Sequence, residues 1–153
     1  MDNEYFKIID LEKHETKDIH DQHINGSLTV VWRDWDNIIK DEFKIVYVTS
    51  VNPGEVKGPH LHTKRISYFV CIHGEVVFVI QKKPGEYEEI HAKADKPVLI
   101  VIPKNISAAH INVNDGVSRI LALADYSWKP NDDEMKNVSF NDYDWDKWKK
   151  SAS

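Results

Sequence analysis

Ile66 to Ile72 and Glu75 to Gln81 are β-branched and aromatic runs separated only by His73-Gly74. Runs of the same kind recur at Pro97 to Ile102, His110 to Asn114 and Ser118 to Ala124. Segments this short and this rich in Val and Ile, bounded by turn residues, commit a chain to antiparallel sheet. Leu28 to Trp32 and Lys44 to Val51 extend the series, with Tyr5 to Ile9 as a weaker member. Asn52-Pro-Gly54, His73-Gly74, Lys83-Pro-Gly85 and Asn114-Asp-Gly116 supply positive φ or a preset proline φ between them. Such a series predicts an all-β sandwich or barrel with little helix. Asp34 to Glu42 is read as one or two helical turns, and the tail from Asn131 onward as acidic, aromatic and irregular.

The chain has 153 residues, a length that suits one domain with one substantial core. The β core is expected over about residues 26–126, followed by the tail at 131–153. Net charge is −5, and no Lys/Arg block exceeds Lys147-Trp-Lys-Lys150, so the footprint of a nucleic-acid binder is missing. The single cysteine, Cys71, lies in an apolar run; it excludes an internal disulfide and is read as core in a reducing compartment. No apolar run approaches the ~18 residues of a spanning helix, and the N-terminus has no basic leader before an apolar stretch. A soluble, cytoplasmic protein is expected, with a small-molecule partner and neither nucleic acid nor membrane.

His60 and His62 are spaced i, i+2 on an extended segment, so both side chains face the same side of a sheet. At the mouth of antiparallel strands such a pair borders the place where small barrels keep a ligand pocket. Imidazole suits proton transfer to and from carbon at neutral pH, its ordinary pKa being ~6.5. Lys57, Lys64 and Arg65 offer charge for a phosphate or a developing oxyanion. Strand alternation allows only one of Lys64 and Arg65 to turn inward. Tyr68, His110 and Trp128 are further candidate contacts to a ligand. His14, His20, His23, His73 and His91 are read as surface.

Gly54, His60, His62 and Gly74 resemble the first motif of the cupin superfamily, and His110 with Asn114 resembles the end of the second. The resemblance implies a double-stranded β-helix, or jelly roll. Within the superfamily, three segments are similar to dTDP-4-dehydrorhamnose 3,5-epimerase and related nucleotide-sugar isomerases. These are Lys57-Gly-Pro-His-Leu-His-Thr-Lys-Arg-Ile-Ser-Tyr-Phe, Val101 to Asn112, and Ile120 to Glu134. The terminal Asp142-Tyr-Asp-Trp145 is similar to their tail.

That likeness implies an enzyme that acts on a nucleotide-linked 4-keto-6-deoxy sugar in surface-polysaccharide precursor synthesis, without a cofactor and as a homodimer. His60 then matches the base, Tyr126 the proton donor on the opposite face, and His62 a group that shares or relays the proton. The paired histidines also look like those of the 3,4-ketoisomerases, the second reading. In the epimerases a lysine holds the oxyanion; its place here falls near Ser67. The carboxylate that orients their histidine has no evident counterpart in the tail. Metal-bearing cupins are a third comparison: His60, His62 and His110 could ligate zinc or iron, although the usual glutamate is replaced by Ser67. A non-catalytic sugar-binding cupin is a fourth.

Overall fold

The computed structural model describes residues 3–37, 39 and 42–149. Two five-stranded antiparallel sheets face one another in the jelly-roll arrangement. The first contains β1 (Lys7–Asp10), β4 (Ile45–Val51), β6 (Ser67–His73), β9 (Val98–Ile102) and β11 (Ser118–Ala124), in the order β1-β9-β6-β11-β4. The second contains β5 (Val56–His62), β7 (Glu75–Lys83), β8 (Glu86–Lys93), β10 (Ser107–Asn112) and β12 (Met135–Asn137), in the order β12-β5-β10-β7-β8. A separate hairpin pairs β2 (Lys13–Lys17) with β3 (Ile24–Thr29). Among the described residues the helical element is one 3-10 turn, Trp145–Trp148, and no helix is long and apolar enough to cross a membrane.

Alternation along the strands builds three apolar layers. Phe69 and Cys71 of β6, Ile100 and Ile102 of β9, and Val76, Phe78 and Ile80 of β7 point between the sheets into one cluster. The intervening Tyr68, Val70, Leu99 and Val101 face outward on the first sheet, under Ile9, Leu11, Val31, Ile39 and Phe43. Val77 and Val79, outward on the second sheet, are covered by Phe140, Tyr143, Trp145 and Trp148. That is why β6, β7 and β9 read as continuous apolar runs: both of their faces are buried. Cys71 is core as expected, and burial pushes its thiol up to about 11.

Several expected boundaries move. β1 is displaced by one or two residues from Tyr5 to Ile9, and β3 begins four residues before the expected Leu28 to Trp32 and overlaps it only at Leu28 and Thr29. β10 begins at Ser107, leaving Asn114 in the turn that follows it. Asp34 to Asp36 form a turn, while Ile38, Lys40 and Asp41 lie outside the described residues. The tail expected to be irregular contributes β12 to the second sheet, and its aromatic residues cap the outer face.

The turn at Gly74 is tied to both sheets by one buried amide. Asn112, 2% exposed, donates through Nδ2 to Val51 O (2.8 Å) and Gly116 O (2.9 Å). Its Oδ1 accepts from the Ser118 hydroxyl (2.8 Å) and the Asn114 N–H (2.8 Å). Gly74 packs against this network at φ +81°, where a Cβ would stand 2.3 Å from Ser118 Oγ. An Asn112→Ala variant would leave several buried partners unpaired, each costing about 1–3 kcal/mol. Urea unfolding is expected to register a loss on the order of 3 kcal/mol; a loss within the usual surface range of about 0.5 kcal/mol would mean the network contributes nothing.

Candidate functional site

A cavity of about 290 Å³ opens between the two sheets. Its apolar wall is Phe69, Phe78, Ile102, Ile106, Ala108 and Met135, and its polar groups come from four segments: Tyr47 and Thr49 of β4, Lys57, His60 and His62 of β5, Arg65 and Ser67 at the start of β6, and His110 of β10. The volume suits a sugar ring more than a whole nucleotide, so a larger ligand would extend through the open side.

Lys57 and His60 are three residues apart, a spacing that a regular strand sends to opposite faces. Both line the cavity because β5 carries an irregularity there. His60 pairs with Ala108 and Lys57 with His110, so three steps on β5 match two on β10. This is the geometry of a bulge, which re-aims side chains beside binding sites. Gly58, at φ +90°, sits at this point with its would-be Cβ 3.0 Å from Ala108 O, so a side chain there would be crowded and its backbone strained.

The pair on β5 is held from behind by the C-terminal segment. β12 runs antiparallel to β5, with Met135 opposite His62 and Asn137 opposite His60. His62 donates through Nδ1 to Glu134 Oε2 (2.9 Å), with Oε1 at 3.1 Å. Glu134 is fully buried, and its carbonyl accepts from the Thr63 N–H (2.8 Å) and hydroxyl (2.9 Å). The orienting carboxylate that seemed missing from the tail is therefore Glu134, and it serves His62, not His60. His60 Nδ1 lies 3.1 Å from Asn137 Oδ1. The two ring centroids are 6.4 Å apart.

Burial lowers the His62 pKa below the usual 6.5; Glu134 pulls the other way and the Arg65 charge adds to the lowering. The ring is thus neutral at neutral pH, with Nε2 left for the cavity. His110 is pushed down to about 4, by burial first and then by Lys57 and His60. It is a neutral imidazole whose buried Nε2 has no hydrogen-bond partner among the described residues.

Arg65 is the inward cation. It is 8% exposed, donates through Nε to Ser67 Oγ (3.1 Å) and through Nη2 to the Tyr47 hydroxyl (2.9 Å). Among the described residues no carboxylate reaches it within ion-pair distance. A buried guanidinium whose protein partners are neutral hydroxyls is a ready counter-charge for an anion. Its guanidinium reaches Ser67, where the epimerases' lysine would fall, so charge is restored to that place from two residues away. Lys57 of the second sheet donates to Thr49 Oγ1 of the first (2.7 Å), across the cavity lining.

Four expected contacts lie elsewhere. Tyr68 faces outward from β6 and is buried in the opposite layer. Lys64 sits over the Tyr126 ring, 5.6 Å from its centroid, and does not line the cavity. Tyr126 donates to Asp132 Oδ2 (2.9 Å), a bond that raises its pKa and ties up its proton away from the cavity. Trp128 is 57% exposed beyond the end of β11. The tyrosine that does reach the cavity is Tyr47. The alternation of Tyr47, Thr49 and Val51 along β4 could have revealed it from sequence.

The metal alternative does not fit the donor set. Among the described residues, the one group whose three ligand atoms lie within 4.8 Å of one another is Asp18, Asp21 and His23, on the loop joining β2 and β3. His60, His62 and His110 do not converge in that way, so no chemical step is routed through an ion here.

Residues 5–144 match the family model described as FdtA: WxcM-like, C-terminal. The chain belongs to that family. The spore coat polysaccharide biosynthesis protein SpsL of Bacillus subtilis (strain 168) is 24% identical over 123 residues, which are 76% of this chain and 81% of SpsL. A dTDP sugar isomerase from Desulfovibrio desulfuricans G20 superposes with a TM-score of 0.78 at 17% identity, covering 93% of this chain and 91% of its own. QdtA, a sugar 3,4-ketoisomerase from Thermoanaerobacterium thermosaccharolyticum solved with TDP, gives 0.67 at 21% identity, covering 87% and 88%. Capsular polysaccharide assembling protein CapF from Staphylococcus aureus gives 0.60 at 22% identity over 64% of this chain, which spans only 29% of CapF. At these identities the structural matches establish the jelly-roll fold, and the chemistry rests on the site.

Proposed function

We propose that this protein is an isomerase of a nucleotide-linked 4-keto-6-deoxy sugar, and that it moves the ketone from C4 to C3. The observation that carries the reading is the pair of imidazoles on one strand, each bound at Nδ1 from behind and each with Nε2 left for the cavity. Hydrogens on the carbons beside a ketone are acidic, so a neutral base at C3 and a cation at O4 suffice to form an enediolate. His62 takes the C3 proton, and Glu134 stabilises the imidazolium that results. Arg65 holds the oxygen on which charge gathers. His62 returns the proton to C4 from the same side, while His60 accepts the proton of the C3 hydroxyl and passes it to O4. One C–H bond breaks and one forms, one hydroxyl is exchanged for another, and no electron leaves the substrate.

That role for His62 exchanges the parts expected from sequence, where His60 was the base. The carboxylate supports it: Glu134 stabilises an imidazolium better than an amide does. Lys57, beside the open side, suits a diphosphate oxygen. The likeness to SpsL, a spore coat polysaccharide biosynthesis protein, supports a place in polysaccharide precursor synthesis, and the TDP bound to QdtA supports a nucleotide sugar as substrate. Val46, Val48 and Ile72, each about half exposed on the outer face of the first sheet, support burial against a second copy as a homodimer.

3,5-epimerisation is the second reading, and Tyr47 favours it. Its hydroxyl reaches the cavity from the first sheet, facing the imidazoles on the second, and because it accepts from Arg65 its own proton is free to be donated. One experiment separates the two. Incubated in deuterated water with 4-keto-6-deoxy nucleotide sugars, the protein is expected to exchange the C3 proton and yield a 3-keto product with deuterium partly at C4. Exchange at C3 and C5 with inversion would establish epimerisation instead, and no exchange with any such substrate would end the isomerase reading.

A further inference from the structure

The two imidazoles differ in what stands behind them: a buried carboxylate behind His62 and an exposed amide behind His60. The difference is built into one short strand. Glu134 immediately precedes the three residues by which β12 pairs with β5, and Asn137, the last of the three, is the direct cross-strand partner of His60. Directly opposed residues on an antiparallel pair hold their side chains within contact distance. The Val138 N–H donates to Pro59 O (3.3 Å), extending the register past the pair. Phe140 then anchors the segment beneath the sheet, packed with Val77, Val79 and Ile111.

An exposed side-chain hydrogen bond competes with water, so the energy of this one is small. Its consequence is a choice of tautomer. Neutral imidazole carries its proton on one nitrogen and its lone pair on the other, and the partner of one nitrogen selects the state of both. The Asn137 atom nearest the ring is Oδ1, an acceptor, and this favours a proton on His60 Nδ1 and a lone pair on Nε2.

We propose that Asn137 is a positioning residue that fixes His60 as the Nδ1–H tautomer, so that Nε2 accepts a proton from a substrate hydroxyl. The inference rests on the isomerase reading for the identity of that hydroxyl, but not for the tautomer. Glu134 and Asn137 thereby divide the labour of two identical side chains. The carboxylate equips His62 to carry a positive charge, whereas the amide orients His60 through its Nδ1 toward the same sugar. A carboxylate at both positions would place two negative groups behind one small cavity and oppose the enediolate that Arg65 stabilises.

The test reads the tautomer directly. With ¹⁵N-labelled, ligand-free protein, long-range ¹H–¹⁵N correlation NMR above the titration range is expected to give an unprotonated Nε2 and a protonated Nδ1 for His60. Asn137→Ala should convert that pattern to a mixture of tautomers and lower kcat about 10-fold or more with little change in KM, as expected for a misaligned proton carrier. Asn137→Asp, which keeps an accepting oxygen, should restore the tautomer. An Nε2–H pattern in the parent protein overturns the proposal, as does an unchanged pattern in Asn137→Ala or failure of the aspartate to restore it. Because no substrate enters the NMR measurement, failure of the isomerase reading in the deuterium experiment would leave this result standing, and the reverse holds as well.

Discussion

A His62→Asn variant is expected to lose at least ~100-fold in turnover, the lower range for removal of a positioned base. Asparagine keeps a polar group near the same place and can donate to Glu134, so the buried carboxylate is not stranded. What it lacks is a lone pair able to accept a proton from carbon. Circular dichroism and the unfolding midpoint should therefore stay near those of the parent while exchange of the C3 proton in deuterated water falls with turnover. Near-parental exchange in this variant would remove His62 from the base role, and His60, the sequence-based choice, would then have to carry it.

The carboxylate behind the ring gives the same claim a pH signature. Proton abstraction needs neutral His62, so kcat/KM should rise with pH along a limb set by that ring, at a pH below the ordinary 6.5 because burial disfavours its charged form. Glu134 favours the charged form and so raises the His62 pKa against burial. With Glu134→Gln that contribution is lost: the limb moves to still lower pH, and the plateau falls because a weaker base abstracts more slowly. A limb that stays in place would mean that Glu134 is not coupled to the group that titrates.

The strands legible in the sequence are β4, whose alternation is unbroken although its outer face is exposed, and those whose two faces both meet apolar layers. β6, β7, β9 and β11 announce themselves because alternation and continuity agree on where they start and stop. β8 was missed because it is an edge strand: Glu86, Glu88 and Lys93 lie among the residues that would signal sheet, and charge on an edge is how sheets avoid pairing with other chains. β2 reads as polar for a related reason, since most of its hairpin is exposed.

At the site, the imidazole pair was visible because its period of two is the strand's own period. Lys57 belongs to the same wall only through the bulge at Gly58, which no alternation count supplies. Glu134 sits in an acidic run, Asp132-Asp133-Glu134, whose residues are equivalent on paper. Asp132 turns to Tyr126 and Glu134 turns to His62 because β12 begins at Met135 and fixes which of them faces β5. Tyr126 drew attention as a strand-end tyrosine on the strength of family likeness, whereas Tyr47 had only its place in an alternating strand to recommend it.

Arg65 carries the other large expectation, and stability and activity should part company there. A buried guanidinium with no carboxylate within ion-pair distance among the described residues has given up its hydration for two hydroxyl acceptors, Ser67 and Tyr47, and that desolvation is only partly offset. Replacing it with Met, which fills a similar volume without charge, should leave the unfolding free energy unchanged or raise it. Turnover should fall about 100- to 1,000-fold, the cost of removing a preorganised donor from a developing oxyanion. Arg65→Lys should recover only part of the loss, since an ammonium cannot bond Ser67 and Tyr47 in the guanidinium's fork and still face the substrate. A cation retained for structure would behave in the opposite way, with stability lost in proportion to activity. Parallel loss of the two would place Arg65 in the scaffold and leave the enediolate without its counter-charge, so this variant bears directly on whether the cavity performs carbanion chemistry.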